Sequence, residues 1–402
     1  MLRTKTILVG ISTSLVLGLA PVASAGTATL DPTFATNGVL HLANTQLAVV
    51  DEMSVVGGSA FVGGLFSSGS RGHGGLAVAN VTNAGSLNPS YGKSGVAHIK
   101  IPGRHYLRSG MTVAPDGSSV IVGQSHHQLW IARFTAAGIP DVSFSGDGIR
   151  SMSVDAPRQY YDDPVVATDS AGRTSFAVME SGKSGPNVLV TRLLPGGARD
   201  SSFAGDGSRR LNYGDWDFVD ALAVDARDRV LVGTDVPTSR YGTNIGVITR
   251  LRTNGTFDHA FSSDGHVRFR LAPKMFTYPT AIEVDAGSIT AGLTSGGTAY
   301  GALRMNSSGA LDPNYGEGGI LGLTCDCVAI DADVVDGQVA ITGSRSDGST
   351  LAVRISRSGT TIKQDHIDFN AASTYVASAV AISGQKTLIS GSEPKTFVAR
   401  TN

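Results

Sequence analysis

Internal repetition constrains this chain more than any other feature. One motif recurs six times: LDPTFATNG from Leu30, LNPSYGKSG from Leu87, IPDVSFSGDG from Ile139, ARDSSFAGDG from Ala198, TFDHAFSSDG from Thr256 and LDPNYGEGG from Leu311. Its aromatic anchors are Phe34, Tyr91, Phe144, Phe203, Phe261 and Tyr315, spaced by 57, 53, 59, 58 and 54 residues. A glycine follows each anchor by four residues: Gly38, Gly95, Gly148, Gly207, Gly265 and Gly319. Units of this size bury their apolar faces against one another, so the repeat overrides the two or three domains that length alone suggests.

Each motif follows a short apolar strand, such as WIARF, VITRL or LAVRI. The strands carry Arg133, Arg192, Arg250, Arg304, Arg354 and Arg400, with Asn80 in the first place. Between motifs lie two further strands joined by a tight turn, as in TVAPDGSSVIVG, ALAVDARDRVLVG and AIDADVVDGQVAITG. An Asp-Gly pair between apolar runs signals a hairpin. Each repeat of about 54 residues therefore holds four strands and no helical periodicity, the size of a β-propeller blade. Seven hairpin units start near residues 52, 110, 164, 220, 279, 328 and 375. The chain ends on FVARTN, the head of a repeat, and begins with the tail of one. The expectation is an all-β, seven-bladed propeller spanning 26–402, its last blade closed by an N-terminal strand within Gly38–Asn44.

These motifs resemble the bacterial delta-60 repeat family, whose units read roughly G-x-L-D-x-x-F-G-x-x-G, followed by a D-G hairpin and an R-L strand. The resemblance covers essentially all of 26–402 and implies an extracellular β-propeller, with no catalytic residues to carry over. Two places depart from the pattern: TTIKQDHIDF from Thr360 lacks a clean anchor, and Met179-Glu180 stands where other units have glycine.

An aspartate follows the arginine by eight residues in Arg133/Asp141, Arg192/Asp200, Arg250/Asp258 and Arg304/Asp312, and ring closure would bring Arg400 to Asp31. In the first repeat both charges vanish together, as Asn80 and Asn88. That covariation points to structural ion pairs, because a half-buried charge without its partner is costly. Arg354 faces Ile362 at the partner place, leaving Asp365 or Asp368 as substitutes. The glycines after the anchors fit positive-φ turns. Gly123, Gly233, Gly292, Gly343 and Gly391, in the hairpin strands, fit close approach between blades. Such positions, repeated blade after blade, contribute to a glycine content of 51 in 402 residues.

Residues 1–25 read as a secretory signal: Arg3 and Lys5, an apolar run from Ile7 to Leu19, then Ala23-Ser24-Ala25. The rest of the chain carries no run of about 18 apolar residues, so no membrane span is expected. A net charge of −1 offers nothing to neutralise a phosphate backbone, so nucleic acid is not an expected partner. A monomer is expected.

Blade geometry sorts loops onto two faces. With strands A to D numbered outward from the axis, the motif turns (C to D) and Asp-Gly hairpins (A to B) share one face. The D-to-A connections and B-to-C loops share the other, where the sequence refuses to repeat and where function is expected. Candidate ligand-binding residues there are His105, Tyr106, Arg108, His126, Arg158, Tyr160, Tyr161, Asp162, Asp163, Asp215, Trp216, Asp217, Tyr241, Phe276 and Tyr278. Aromatic rings with polar tips suit a glycan, peptide or small polar ligand. The alternative for each ring is to plug a gap between blades.

His126-His127 could ligate a metal, but adjacent strand residues point apart, and no metal or cofactor is expected. The motif turns offer too few carboxylates for calcium. Cys325 and Cys327 could form a disulfide if the chain bends between them; a reduced pair or a thiol ligand remain alternatives. No G-x-S-x-G, H-E-x-x-H or phosphate loop is present. The leading expectation is an exported binding module with an unknown extracellular ligand or protein partner. A hydrolase or lyase acting on an extracellular polymer through the loop acids is the alternative, and a structural surface component the third.

Overall fold

A computed structural model describes residues 26–27, 29–42, 45, 47–67, 73–105, 108–125, 127–156, 163–183, 185–214, 216–238, 243–295, 299–367, 376–393 and 396–402. Among these residues there is no helix, and the strands form seven sheets, each with an antiparallel four-stranded core. Blade I comprises Leu47–Val56, Ser59–Ser67, His73–Val81 and Val96–His105; blade II, Arg108–Val113, Ser119–Ser125, Gln128–Phe134 and Ile149–Ser153. Blade III spans Val165–Leu211, blade IV Phe218–Phe269 and blade V Tyr278–Thr324. Blade VI, despite its irregular motif, keeps four strands from Cys327–Val335 to Thr361–Ile367. The first strand of every blade touches the first strand of the next, and blade VII touches blade I, so the ring closes. The protein is a seven-bladed β-propeller.

Blade VII is built from both ends of the chain. Val376–Ser383, Lys386–Glu393 and Phe397–Arg400 supply its inner three strands. Val39–His41 supplies the outer one, in the register Val39↔Ala399, Leu40↔Val398, His41↔Phe397. The closing strand lies inside the expected Gly38–Asn44, and the Leu42 N–H donates beyond it to the Thr396 carbonyl, while 43–44 lie outside the described residues. One feature had no sequence signal: Gly26–Thr27 adds a parallel fifth strand to the outer edge of blade VI, opposite Asp365 and His366.

The repeated motif bolts each blade to the next. Arg192 lies 2.8 Å from Asp200 and Arg250 2.8 Å from Asp258, with both arginines buried. Arg133–Asp141 (2.6 Å), Arg400–Asp31 (2.9 Å) and the looser Arg304–Asp312 (3.7 Å) repeat the arrangement. The guanidinium sits over the aromatic anchor, 4.5 Å from the Phe261 centroid for Arg250 and 4.8 Å from Phe34 for Arg400. In four of these arginines the far nitrogen then crosses the gap, while Arg192 stays within its own turn on Asp200 and Ser202. Arg133 Nη1 donates to the Pro195 carbonyl, Arg250 to Ser307, Arg304 to Arg357 and Arg400 to Asn83, all in the following blade. The backbone N–H just after the anchor also donates across: Ala35 to Ala84, Gly92 to Ala137, Ser145 to Gly196, Ala204 to Asn254 and Ser262 to Ser308.

The aspartate works on both its oxygens. While Oδ2 holds the arginine, Oδ1 accepts the backbone N–H two residues on, as in Asp200 to Ser202 and Asp258 to Ala260. Arg354 has different partners: Gln338 Oε1 and the carbonyls of Gly384 and Lys386. Asp368 lies outside the described residues, as does the side chain of Asp365. The glycine four after each anchor has φ between +84° and +101°, where a side chain would be strained. A Cβ at Gly123 would come within 2.7 Å of Leu76 in blade I, a close approach between blades. Gly343 instead faces the Val328 carbonyl in its own blade.

Asp258 also meets Arg229 and Arg252, so Asp258→Ala would strand several cations. The expected cost is about 3 kcal/mol. Arg250→Met with Asp258→Leu should cost less than the sum of the two single changes, read from chemical denaturation of all four proteins.

Candidate functional site

The innermost strand of each blade pairs on one side only, so its other backbone edge faces the axis. Polar side chains of adjacent blades take up several of these groups. Asp331 of blade VI accepts the Val380 N–H of blade VII at 2.9 Å, and Asp333 accepts that of Ile382 at 2.8 Å. Ser378 of blade VII donates to the Val50 carbonyl of blade I, and Ser109 of blade II to the Asp51 carboxylate. At the hairpin turn of blade VI, outside the inner strand, Glu283 of blade V accepts the N–H groups of Asp336 and Gly337.

These side chains make the axis acidic. Glu52 of blade I interacts electrostatically with Asp331 and Asp333 of blade VI and with Asp163 at the start of blade III. Blades I, III and VI are not neighbours, so only the axis brings these groups together. Enclosure by protein, then mutual repulsion, pushes the carboxyls up: Asp51 and Asp331 to about 7, and Glu52 well above its ordinary value. Burial raises Asp333 to about 6 against the hydrogen bond from Ile382. Asp163 is also raised, opposed by Arg108, which lies 3.8 Å away with both side chains more than half exposed.

Of the sequence candidates, Arg108 and Asp163 thus meet at the mouth of the axis. Trp216 stacks with Phe218 (6.4 Å, 26°), and Phe276 with Tyr278 (6.1 Å, 25°). The two pairs enter the first strands of blades IV and V at equivalent places. Each ring keeps some exposure, and Phe276 is 41% exposed. Asp217 departs from the expected solvent-facing position: it is wholly buried and accepts the Tyr213 N–H at 2.8 Å, so it holds the turn. Tyr106, His126, Arg158, Tyr160, Tyr161, Asp162, Asp215 and Tyr241 lie outside the described residues, as does the side chain of His105.

Cys325 and Cys327 form a disulfide on this face, with Cα atoms 5.2 Å apart across a bend between blades V and VI. Among the described residues no three His, Cys, Asp or Glu side chains are placed to hold a metal ion, and no helix is long and apolar enough to cross a membrane.

No family model matches the sequence, and no curated protein does. The fold has clear relatives among solved structures. The polysaccharide lyase Uly1 is 9% identical, with 88% of this chain and 90% of that one aligned at a TM-score of 0.51. An ulvan lyase of polysaccharide lyase family PL25, bound to -[GlcA(1-4)Rha3S]-, is 9% identical over 92% and 95% of the two chains, at 0.50. Drosophila Semaphorin 2a is 9% identical over 95% and 77%, at 0.51. At these identities the likeness is one of fold.

The axial acids set the pH dependence of stability. Their folded-state pKa values exceed those of the unfolded chain, so between about pH 4 and 7 the native protein holds protons that the unfolded chain has released. Stability should therefore rise as pH falls from 8 towards 5. Asp141, Asp200 and Asp258 are shifted down, arginine and backbone bonds, with serine bonds for Asp141 and Asp200, outweighing burial, so their contribution is lost progressively as pH falls below about 4. Thermal melts across pH should peak on the acid side of neutrality, and Asp331→Asn should flatten the upper limb. A melting temperature highest at pH 8 would refute this assignment.

Proposed function

We propose that this chain is an exported, delta-60-type propeller that binds a polymer chain, neutral or cationic, across its irregular face. The observation that carries the reading is the pair of stacked aromatic couples, Trp216/Phe218 and Phe276/Tyr278, repeated at equivalent positions on adjacent blades. Repetition at blade spacing suits a ligand that itself repeats, and aromatic faces suit the apolar faces of sugar rings or peptide side chains. The acidic axis beside them selects for charge. Above about pH 7, where Asp51 and Asp331 ionise, the axis repels polyanions, so a ligand like the uronate-containing chain named for the ulvan lyase is disfavoured there.

A second reading rests on a different observation. Asp51 and Asp331, at about 7, can hold or release a proton near neutrality, as a general acid in glycoside cleavage must. If the axis is catalytic, Asp51→Asn and Asp331→Asn abolish release of reducing ends from a bound polysaccharide; if it only selects charge, no such release occurs.

Titration with chitohexaose, chitosan and polygalacturonate, followed by Trp216 emission and calorimetry, tests the binding reading. One of the first two should bind and the polyanion should not. Phe276→Ala should weaken binding about 3- to 10-fold. Silence towards all three, or binding that survives Trp216→Ala with Phe276→Ala, defeats it.

A further inference from the structure

Where the connection from one blade crosses the face of the next, three repeat-equivalent positions meet. In blade V they hold Leu271, Leu303 and Ile320, all buried in one apolar cluster. In blade II they hold Ile101, Ala132 and Ile149, again in one cluster. In blade IV the same positions hold Tyr213, Thr249 and His266. The Tyr213 hydroxyl is hydrogen-bonded to Thr249 Oγ1, which lies 2.8 Å from His266 Nδ1. The His266 ring also meets the Tyr213 and Phe257 rings edge-on, at 5.3 Å and 4.9 Å.

Blades II and V fill these positions with aliphatic side chains, and blade III with Val154 and a Thr191–Ser208 pair hydrogen-bonded at 3.1 Å; a fully polar trio is the costlier way to fill them. Here the trio borders an open cleft of about 470 Å³ between blades III and IV, a volume suited to a small molecule. One wall is apolar, formed by Val236, Pro237, Ile245 and Val247. The other end presents Tyr213, His266 and Arg268, and among the described residues no carboxylate lines the cleft. Arg268 is half-exposed and paired with Asp264 at 2.8 Å. The Arg209 guanidinium lies 4.5 Å over the ring of Phe257, another lining residue, and its Nε has no hydrogen-bond partner. The cleft is thus apolar at one end and cationic at the other, opposite in sign to the axis.

We propose that this cleft binds a small organic carboxylate, its apolar body against Val236, Pro237, Ile245 and Val247 and its carboxylate between His266 and Arg268. The proposal does not depend on the aromatic couples. Burial holds the His266 imidazole below its ordinary pKa. Asp264 opposes that shift and Arg268 and His259 add to it, while Tyr213, Thr249 and Phe257 face the ring as neutral groups. A bound carboxylate favours the imidazolium, so binding takes up a proton and tightens as pH falls.

The test is NMR of His266 in the full chain, with cyclohexanecarboxylate and neutral cyclohexanecarboxamide as probes. The carboxylate should shift the His266 resonances saturably and raise the pH midpoint of the ring. The amide should bind at least about tenfold more weakly. The triple change Tyr213→Leu, Thr249→Leu and His266→Ile installs the apolar trio of blade V. It should fold with an unchanged or higher melting temperature and lose cyclohexanecarboxylate binding measured by calorimetry. Arg268→Gln, at the surface, should weaken binding at least about fivefold without altering the melting temperature. No saturable shift up to about 50 mM, equal affinity for the amide, or undiminished binding in either variant overturns the proposal. Because the readout is at His266, its failure leaves the Trp216 titration unaffected.

Discussion

The ring depends on one buried interaction: an arginine that closes its own blade's turn and fastens the next. Its charge must be matched, and the aspartate eight residues on does this while shaping the turn through its second oxygen. The aromatic anchor supplies a desolvated platform beneath the guanidinium. In blades II, IV, V and VII the far nitrogen donates to a carbonyl of the following blade, which couples local turn geometry and the global pitch of the ring through one side chain. Seven blades then meet without an open flank, and apolar clusters continue from blade to blade.

Most of this architecture is legible in the sequence, because a repeated structure writes its obligatory residues repeatedly. Phe34 through Tyr315 mark the turns, and the joint loss of both charges at Asn80 and Asn88 marks the pair. Blade VI shows the limit. Its turn lost the motif, yet Arg354 remains anchored by Gln338 and two carbonyls, a substitution between neutral acceptors that no fixed spacing predicts.

The site was less legible, for a physical reason. Loop residues carry no periodic signal, and convergence at an axis joins residues hundreds of positions apart. Asp51, Glu52, Asp331 and Asp333 stand in strands that read as ordinary inner strands. The available signal was two acids spaced by two in AIDADVVDG, which places both on one side of a strand. Asp217 misled in the opposite sense: its loop context suggested solvent, while its carboxylate caps a buried turn. The trio of Tyr213, Thr249 and His266 was hidden inside the repeat, visible only once equivalent positions are superposed.

The seam in blade VII also sets an order of events. Val39–His41 can find Phe397–Arg400 only when nearly the whole chain exists. Until then Val39–His41 has no partner and the growing array ends in an unpaired sheet edge, which is prone to aggregation. The last link is thus the most non-local one, and closing it should come late in folding. A polypeptide emerging stepwise can assemble middle blades as they appear, but the ring locks only after Phe397–Arg400 has emerged.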